Sequence, residues 1–99
     1  MFIKERHENL RGGNGIVITH TKVIFFRERR IKIIIMEMSP NSTIGLHQHV
    51  DDTEIYITNN KNVRFGIKKN KFFNRCPKGG THSASNLSNE GATVFAIKF

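Results

Sequence analysis

The sequence predicts an all-β domain of about eight short strands, closed as a two-sheet jelly roll. Three observations carry that prediction. Helical periodicity is weak throughout the 99 residues. Short runs rich in Ile, Val, Thr and Phe recur at the spacing of an all-β sandwich or barrel. Between them stand turn-forming clusters of Gly, Asn, Ser and Pro.

In order, strands are expected near 16–25, 31–38, 44–50, 54–58, 63–67, 72–75, 81–86 and 92–98. Gly12-Gly13-Asn14-Gly15 precedes the first, and Ser39-Pro40-Asn41-Ser42 follows the second. Asn59-Asn60-Lys61-Asn62 follows the fourth, while Pro77-Lys78-Gly79-Gly80 and Ser88-Asn89-Glu90-Gly91 punctuate the end. Eight short strands suit a jelly roll. Strand 31–38 is unusual. Alternation places Ile34, Met36 and Met38 on one face and Ile31, Ile33, Ile35 and Glu37 on the other. Both faces are largely apolar, whereas a half-exposed antiparallel strand has one polar face. Either the N-terminal segment or a second subunit is expected to cover the second face.

The length suits one domain, 1–99. A chain this short buries a modest share of its surface, so a homodimer is expected. Sixteen Lys and Arg against eight Asp and Glu give a net charge of +8, which favours anionic partners. The longest apolar run, Ile33 to Met36, is far below the roughly 20 residues of a membrane span, and the start carries no apolar stretch of signal-peptide length. A single cysteine, Cys76, excludes an intrachain disulfide and makes a reducing cytoplasm the expected compartment.

Chemistry concentrates in two fragments, Gly45 to Glu54 and Pro77 to Asn86. Residues at i and i+2 of a strand share a face, so His47 and His49 project together and can share one ion. Glu54 follows His49 by five, an odd offset that points it away on a straight strand. Val50-Asp51-Asp52-Thr53 is a good turn. A chain folding back there starts the neighbouring antiparallel strand at Glu54 and brings it to the same side. His82 arrives from a distant strand through the Gly79-Gly80 turn. Three imidazoles and a carboxylate suit iron, manganese, nickel, copper or zinc better than magnesium or calcium. Four protein ligands on an octahedral ion leave two positions open.

The spacing His47-x-His49-x4-Glu54, followed by Pro77-x-Gly79-x2-His82-x3-Asn86, resembles the two-part signature of the cupin family. By this chain's own composition the second part should arise by chance on the order of one time in a thousand. The resemblance covers residues 40–86 and extends loosely to the whole chain. It implies a double-stranded β-helix barrel, one divalent transition metal held by His47, His49, Glu54 and His82, and frequent dimers. Two positions depart from the pattern: Lys61 and Lys71 stand where cupins usually carry glycine. With 27 residues between Glu54 and His82, the middle hairpin is trimmed, which implies a more open mouth.

Tyr56, two residues after Glu54, should face the same interior, as a phenolic donor to a ligand or as an ordinary lining aromatic. Phe65, Phe72, Phe95 and Phe99 are expected in the core, with Met36 and Met38 as core filling beside the pocket. Arg64 and Gln48 should point outward, Cys76 should be a small buried residue, and Asn86 should secure a turn. Three functions follow. The first is a mononuclear metal enzyme, of oxygenase or isomerase type, acting on a small carboxylate- or phenolate-bearing anion. The second is a metal-dependent binding or sensing module without turnover. The third is a basic nucleic-acid binder using the Lys, Arg and Phe of residues 63–75. A core hairpin with solvated lysines reads the same way, so nucleic acid is the least favoured partner.

Overall fold

The computed structural model describes residues 1–58, 60–66 and 73–99. Among these are nine strands: β1 (Ile3–Glu8), β2 (Ile16–Phe26), β3 (Arg29–Met38), β4 (Thr43–Gln48), β5 (Glu54–Ile57), β6 (Val63–Phe65), β7 (Phe73–Cys76), β8 (Thr81–Asn86) and β9 (Ala92–Lys98). They form a six-stranded sheet in the order β1-β2-β3-β9-β5-β7 and a three-stranded sheet in the order β4-β8-β6. Every described pairing is antiparallel, as a jelly-roll barrel requires. Val17, Met38, Val63 and Val94 are fully buried between the sheets.

Register decides which residues face that interior. Across the large sheet Thr21, Ile34, Ala96 and Tyr56 align in one inward row, and Lys32, Lys98 and Glu54 in the next. The alternate residues of β9, Phe95 and Ile97, therefore face outward and stay 50% and 45% exposed. Phe65 packs against the core as expected. Phe95 and Phe99 do not: both are exposed. Ala92, Val94 and Ala96 take the inward positions because the lumen beside them is already filled by Tyr56 and Met38. Phe72 lies outside the described residues.

The N-terminal segment is a strand that the sequence pattern did not announce. Its residues Ile3-Lys4-Glu5-Arg6-His7-Glu8 are nearly all exposed and alternate poorly. Pairing with β2 from Ile3↔Thr21 to Glu8↔Ile16 imposes the conformation. β1 continues the large sheet at its edge and does not lie over it. The outer face of β3 is thus not covered by the N-terminal segment, and Ile31, Ile33 and Ile35 remain half-exposed.

A single 3-10 turn (Leu10–Gly12) lies against β4, and two glycines make that contact. A Cβ on Gly45 would collide with the Arg11 carbonyl, and one on Gly13 with the Thr43 carbonyl. The ladder between β4 and β8 is irregular between Ile44 and His47. Asn14 and Thr43 exchange backbone hydrogen bonds of 3.2 and 2.8 Å, anchoring the loop to the strand that carries the first histidine.

Candidate metal centre

Three imidazoles meet at one end of the barrel. His47 on β4 is directly opposite His82 on β8, and their Nε2 atoms are 2.9 Å apart. His49 lies just past the end of β4, pinned by its own backbone: its N–H donates to the Gly80 carbonyl at 2.9 Å and its carbonyl accepts from Gly79 at 2.6 Å. That clamp brings His49 Nε2 within 2.5 Å of His82 Nε2. Metal–imidazole bonds of about 2.1 Å at right angles would separate two nitrogens by about 3 Å. The spacing of these nitrogens is close to that of adjacent ligands on one ion.

Glu54 reaches the cluster by a route the spacing does not reveal. The chain between Gln48 and Glu54 does not fold back beside β4. It crosses to the other sheet, where β5 pairs with β9 and β7. Glu54 therefore faces the histidines across the lumen, 3.8 Å from His49 Nε2 through Oε2 and 3.8 Å from His82 Nε2 through Oε1. It is 3% exposed, and Lys98 Nζ lies 3.6 Å from Oε2.

The electrostatics leave the ring nitrogens free to bind. Burial lowers the His82 pKa to about 3, with His47 and His49 adding to the effect. Burial, then Lys98 and His47, lowers that of His49 to about 4. Burial likewise lowers His47, against the opposing hydrogen bond to Gly45. Neutral imidazoles present lone pairs, the form a metal requires. His47 Nδ1–H donates to the Gly45 carbonyl at 2.8 Å, which turns Nε2 to the cluster. Burial raises the Glu54 carboxyl, although Lys98 opposes that rise. The donor set, the convergent nitrogens and their neutral state fit a divalent transition metal.

The histidine shifts predict how the metal-free protein responds to acid. An unfolded chain binds protons on its imidazoles below about 6.5, while native His49 and His82 resist until about 4 and 3. The unfolded state then holds more protons, so stability falls as pH drops from 6.5 towards 4. Glu54 acts with the opposite sign, since its raised pKa lets the native state take a proton early, and offsets part of the loss. Melting curves of chelator-treated protein from pH 7.5 to 4 should show that decline. A melting temperature that stays level across this range would contradict it.

Tyr56 does face the interior. Its ring centroid lies 4.4 Å from that of Phe65 and 5.2 Å from that of His82. Burial pushes its phenol up to about 12, so it keeps its proton. Asn86 stays off the metal cluster and secures a turn, as expected: its Nδ2 donates to the Met38, Ser39 and Glu90 carbonyls. Cys76 is buried, and Arg64 and Gln48 are exposed. Phe65 is half-buried, with its ring centroid 4.4 Å from that of Tyr56. Residues 67–72 of the same basic stretch lie outside the described ones. His7 and His20 bond elsewhere, to Thr19 at 3.0 Å and Glu37 at 2.7 Å.

Sequence spacing missed the cationic wall of the pocket. Arg11, Lys32 and Lys98 line the same cavity as His47, Glu54, Tyr56 and His82. Lys32 and Lys98 look like ordinary solvated residues in the sequence. The only signal was their inward parity, which becomes meaningful once the buried face of β3 and β9 is known.

No family model and no curated protein matches the sequence. Solved structures do match it. A predicted oxalate decarboxylase from Thermotoga maritima is 25% identical, with 99% of this chain and 92% of that one aligned at a TM-score of 0.74. A cupin domain from Bordetella pertussis is 15% identical over 81% of this chain and 91% of that one, with a TM-score of 0.58. Oxalate oxidase in complex with the substrate analogue glycolate is 15% identical over 81% of this chain at a TM-score of 0.62. Only 50% of the oxalate oxidase chain is matched, so this chain spans about half of that protein.

Proposed function

We infer that this chain, a small single-domain cupin by fold, holds one divalent transition metal through His47, His49, Glu54 and His82 and binds a small anionic molecule beside it. The observation that carries the reading is the convergence of three neutral Nε2 atoms, with a buried carboxylate 3.8 Å from two of them. Four protein ligands leave two positions of an octahedral ion open to a ligand. The bound metal would supply Lewis acidity to an oxygen-donating ligand. Around it the chain's own residues set the environment. Ile34, Met36, Ile44 and Phe65 exclude water from the lumen, and Tyr56 offers a hydrogen bond at its edge.

Among the similar structures, oxalate oxidase is seen with glycolate, a small hydroxy-carboxylate. A small carboxylate is accordingly the ligand class we propose, with oxygenase- or isomerase-type turnover as the enzymatic form. One observation favours binding without turnover. Tyr56 retains its proton up to about 12, so among the described lining residues no side chain outside the ligand set stands ready as a general base. The test begins with metal analysis of untagged protein after reconstitution. One equivalent of a transition metal is expected, and less than about a tenth of an equivalent removes the proposal.

We also propose that the protein is a homodimer joined through the outer face of its large sheet. Ile35, Phe95 and Ile57 align across that face, with Ile33, Ile97 and Ile55 in the next row. The patch itself carries no charge, and the flanking cations Lys22 and Arg75, opposite Ile33 and Ile55, stand at its margins. An apolar patch of this kind marks an interaction site. Light scattering should give twice the chain mass, and Phe95→Glu should halve it. A monomeric wild type would rule the dimer out.

A further inference from the structure

The inward row nearest the metal cluster on the large sheet reads Lys32, Lys98, Glu54, from β3 through β9 to β5. Lys32 and Lys98 are directly opposite on neighbouring antiparallel strands. Like charges in that position destabilise a sheet. Two inward lysines set side by side therefore need an anion to face. Glu54 is the only carboxylate among the described lining residues, and it sits beside Lys98, 3.6 Å away. Bound to a metal, its charge is already engaged. Lys32 makes no close ion pair among the described residues and acts on Glu54 only through space, and Arg11 adds a third cation to the cavity. A divalent ion at the histidines deepens the excess of positive charge.

Geometry limits what can answer it. Neighbouring strands are about 4.8 Å apart, so the Lys32 backbone lies about 10 Å from that of Glu54, with Lys98 between. The cavity holds about 150 Å³, the room that takes a benzene-sized ligand. A dicarboxylate of three or four carbons fits within that room.

We propose that Lys32 and Lys98 form an anion-holding pair that fixes the far carboxylate of a small dicarboxylate whose near carboxylate faces the histidines. The placement of the near carboxylate rests on the metal centre proposed above. The juxtaposition of the two lysines does not, because strand register and the cavity lining place them whether or not an ion is bound.

Malonate and acetate, titrated calorimetrically into metal-free and metal-loaded protein, separate the two. In metal-loaded protein malonate is expected to bind at least about tenfold tighter than acetate, the scale of one charge-assisted hydrogen bond. There Lys32→Met should cut malonate affinity about tenfold, leave acetate unchanged and leave the metal content intact, while in metal-free protein it should weaken both anions. Lys98→Met should do the same to malonate, and Lys98→Arg should restore it. Equal affinities for malonate and acetate in the metal-loaded wild type would overturn the proposal, as would full malonate binding by Lys32→Met. Failure to take up metal sinks the metal-centre reading instead, and the lysine dependence in metal-free protein still decides the anion pair.

Discussion

Replacing His82 by Ala is expected to reduce bound metal from one equivalent to less than about a tenth, and with it the stabilisation that the metal confers. His82 sits at the middle of the cluster, its Nε2 2.9 Å from that of His47 and 2.5 Å from that of His49. Metal that binds only the native state stabilises it by about 4 kcal/mol at a thousandfold excess over its dissociation constant. For a domain of about 100 residues each kcal/mol moves the melting temperature by about 4 °C or more, so chelating the wild type should lower it by about 15 °C. In the chelated state the comparison changes. His82 Nδ1 is buried without a hydrogen-bond partner, a cost that the wild type carries and the variant does not. The variant and the chelated wild type should then melt closer together than the loaded and chelated wild type do. Calorimetric melts with and without metal read this directly, and a wild type indifferent to chelation would refute it.

The second large effect lies away from the metal. Asn86 is fully buried, and its two amide hydrogens serve the carbonyls of Met38, Ser39 and Glu90 at 3.3, 3.1 and 2.8 Å. Its Oδ1 accepts from the Ser88 N–H at 3.1 Å and the Ser88 hydroxyl at 2.8 Å. One side chain thus joins the end of β3, the end of β8 and the turn before β9. Asn86→Ala strands several buried polar groups, each costing about 1 to 3 kcal/mol. A loss of about 4 kcal/mol is expected, a large part of what a small domain possesses. Urea unfolding at 25 °C measures it, and a loss below about 1 kcal/mol would show that water replaces the amide.

How far these features were legible follows from the residues. His47 and His49 pair because strand geometry has a period of two, and the turn residues before His82 announced its strand. Those are local rules, and sequence carries them. Glu54 does face the histidines, but by a different route from the one the spacing suggests. The turn after His49 does not fold the chain back along β4 but carries it to the opposite sheet. Phe95 shows the same limit. Alternation separates Ala92, Val94 and Ala96 from Thr93, Phe95 and Ile97, yet it does not say which set faces inward. The more hydrophobic set suggested the core, and the crowded lumen selected the smaller one. β1 had no pattern to read, because an edge strand exposed along its length needs only a partner's hydrogen bonds.

By itself, then, the sequence determined the all-β class, the strand punctuation, and the candidate set of His47, His49, Glu54 and His82, each expressed in residue spacing along one chain. The tertiary structure alone decided which face of each strand is inward, on which sheet Glu54 stands, and that Lys32 and Lys98 lie side by side above it. The physical reason is the same in all three cases. Strand register and sheet closure are set by pairings between segments far apart in sequence, and no local pattern encodes them.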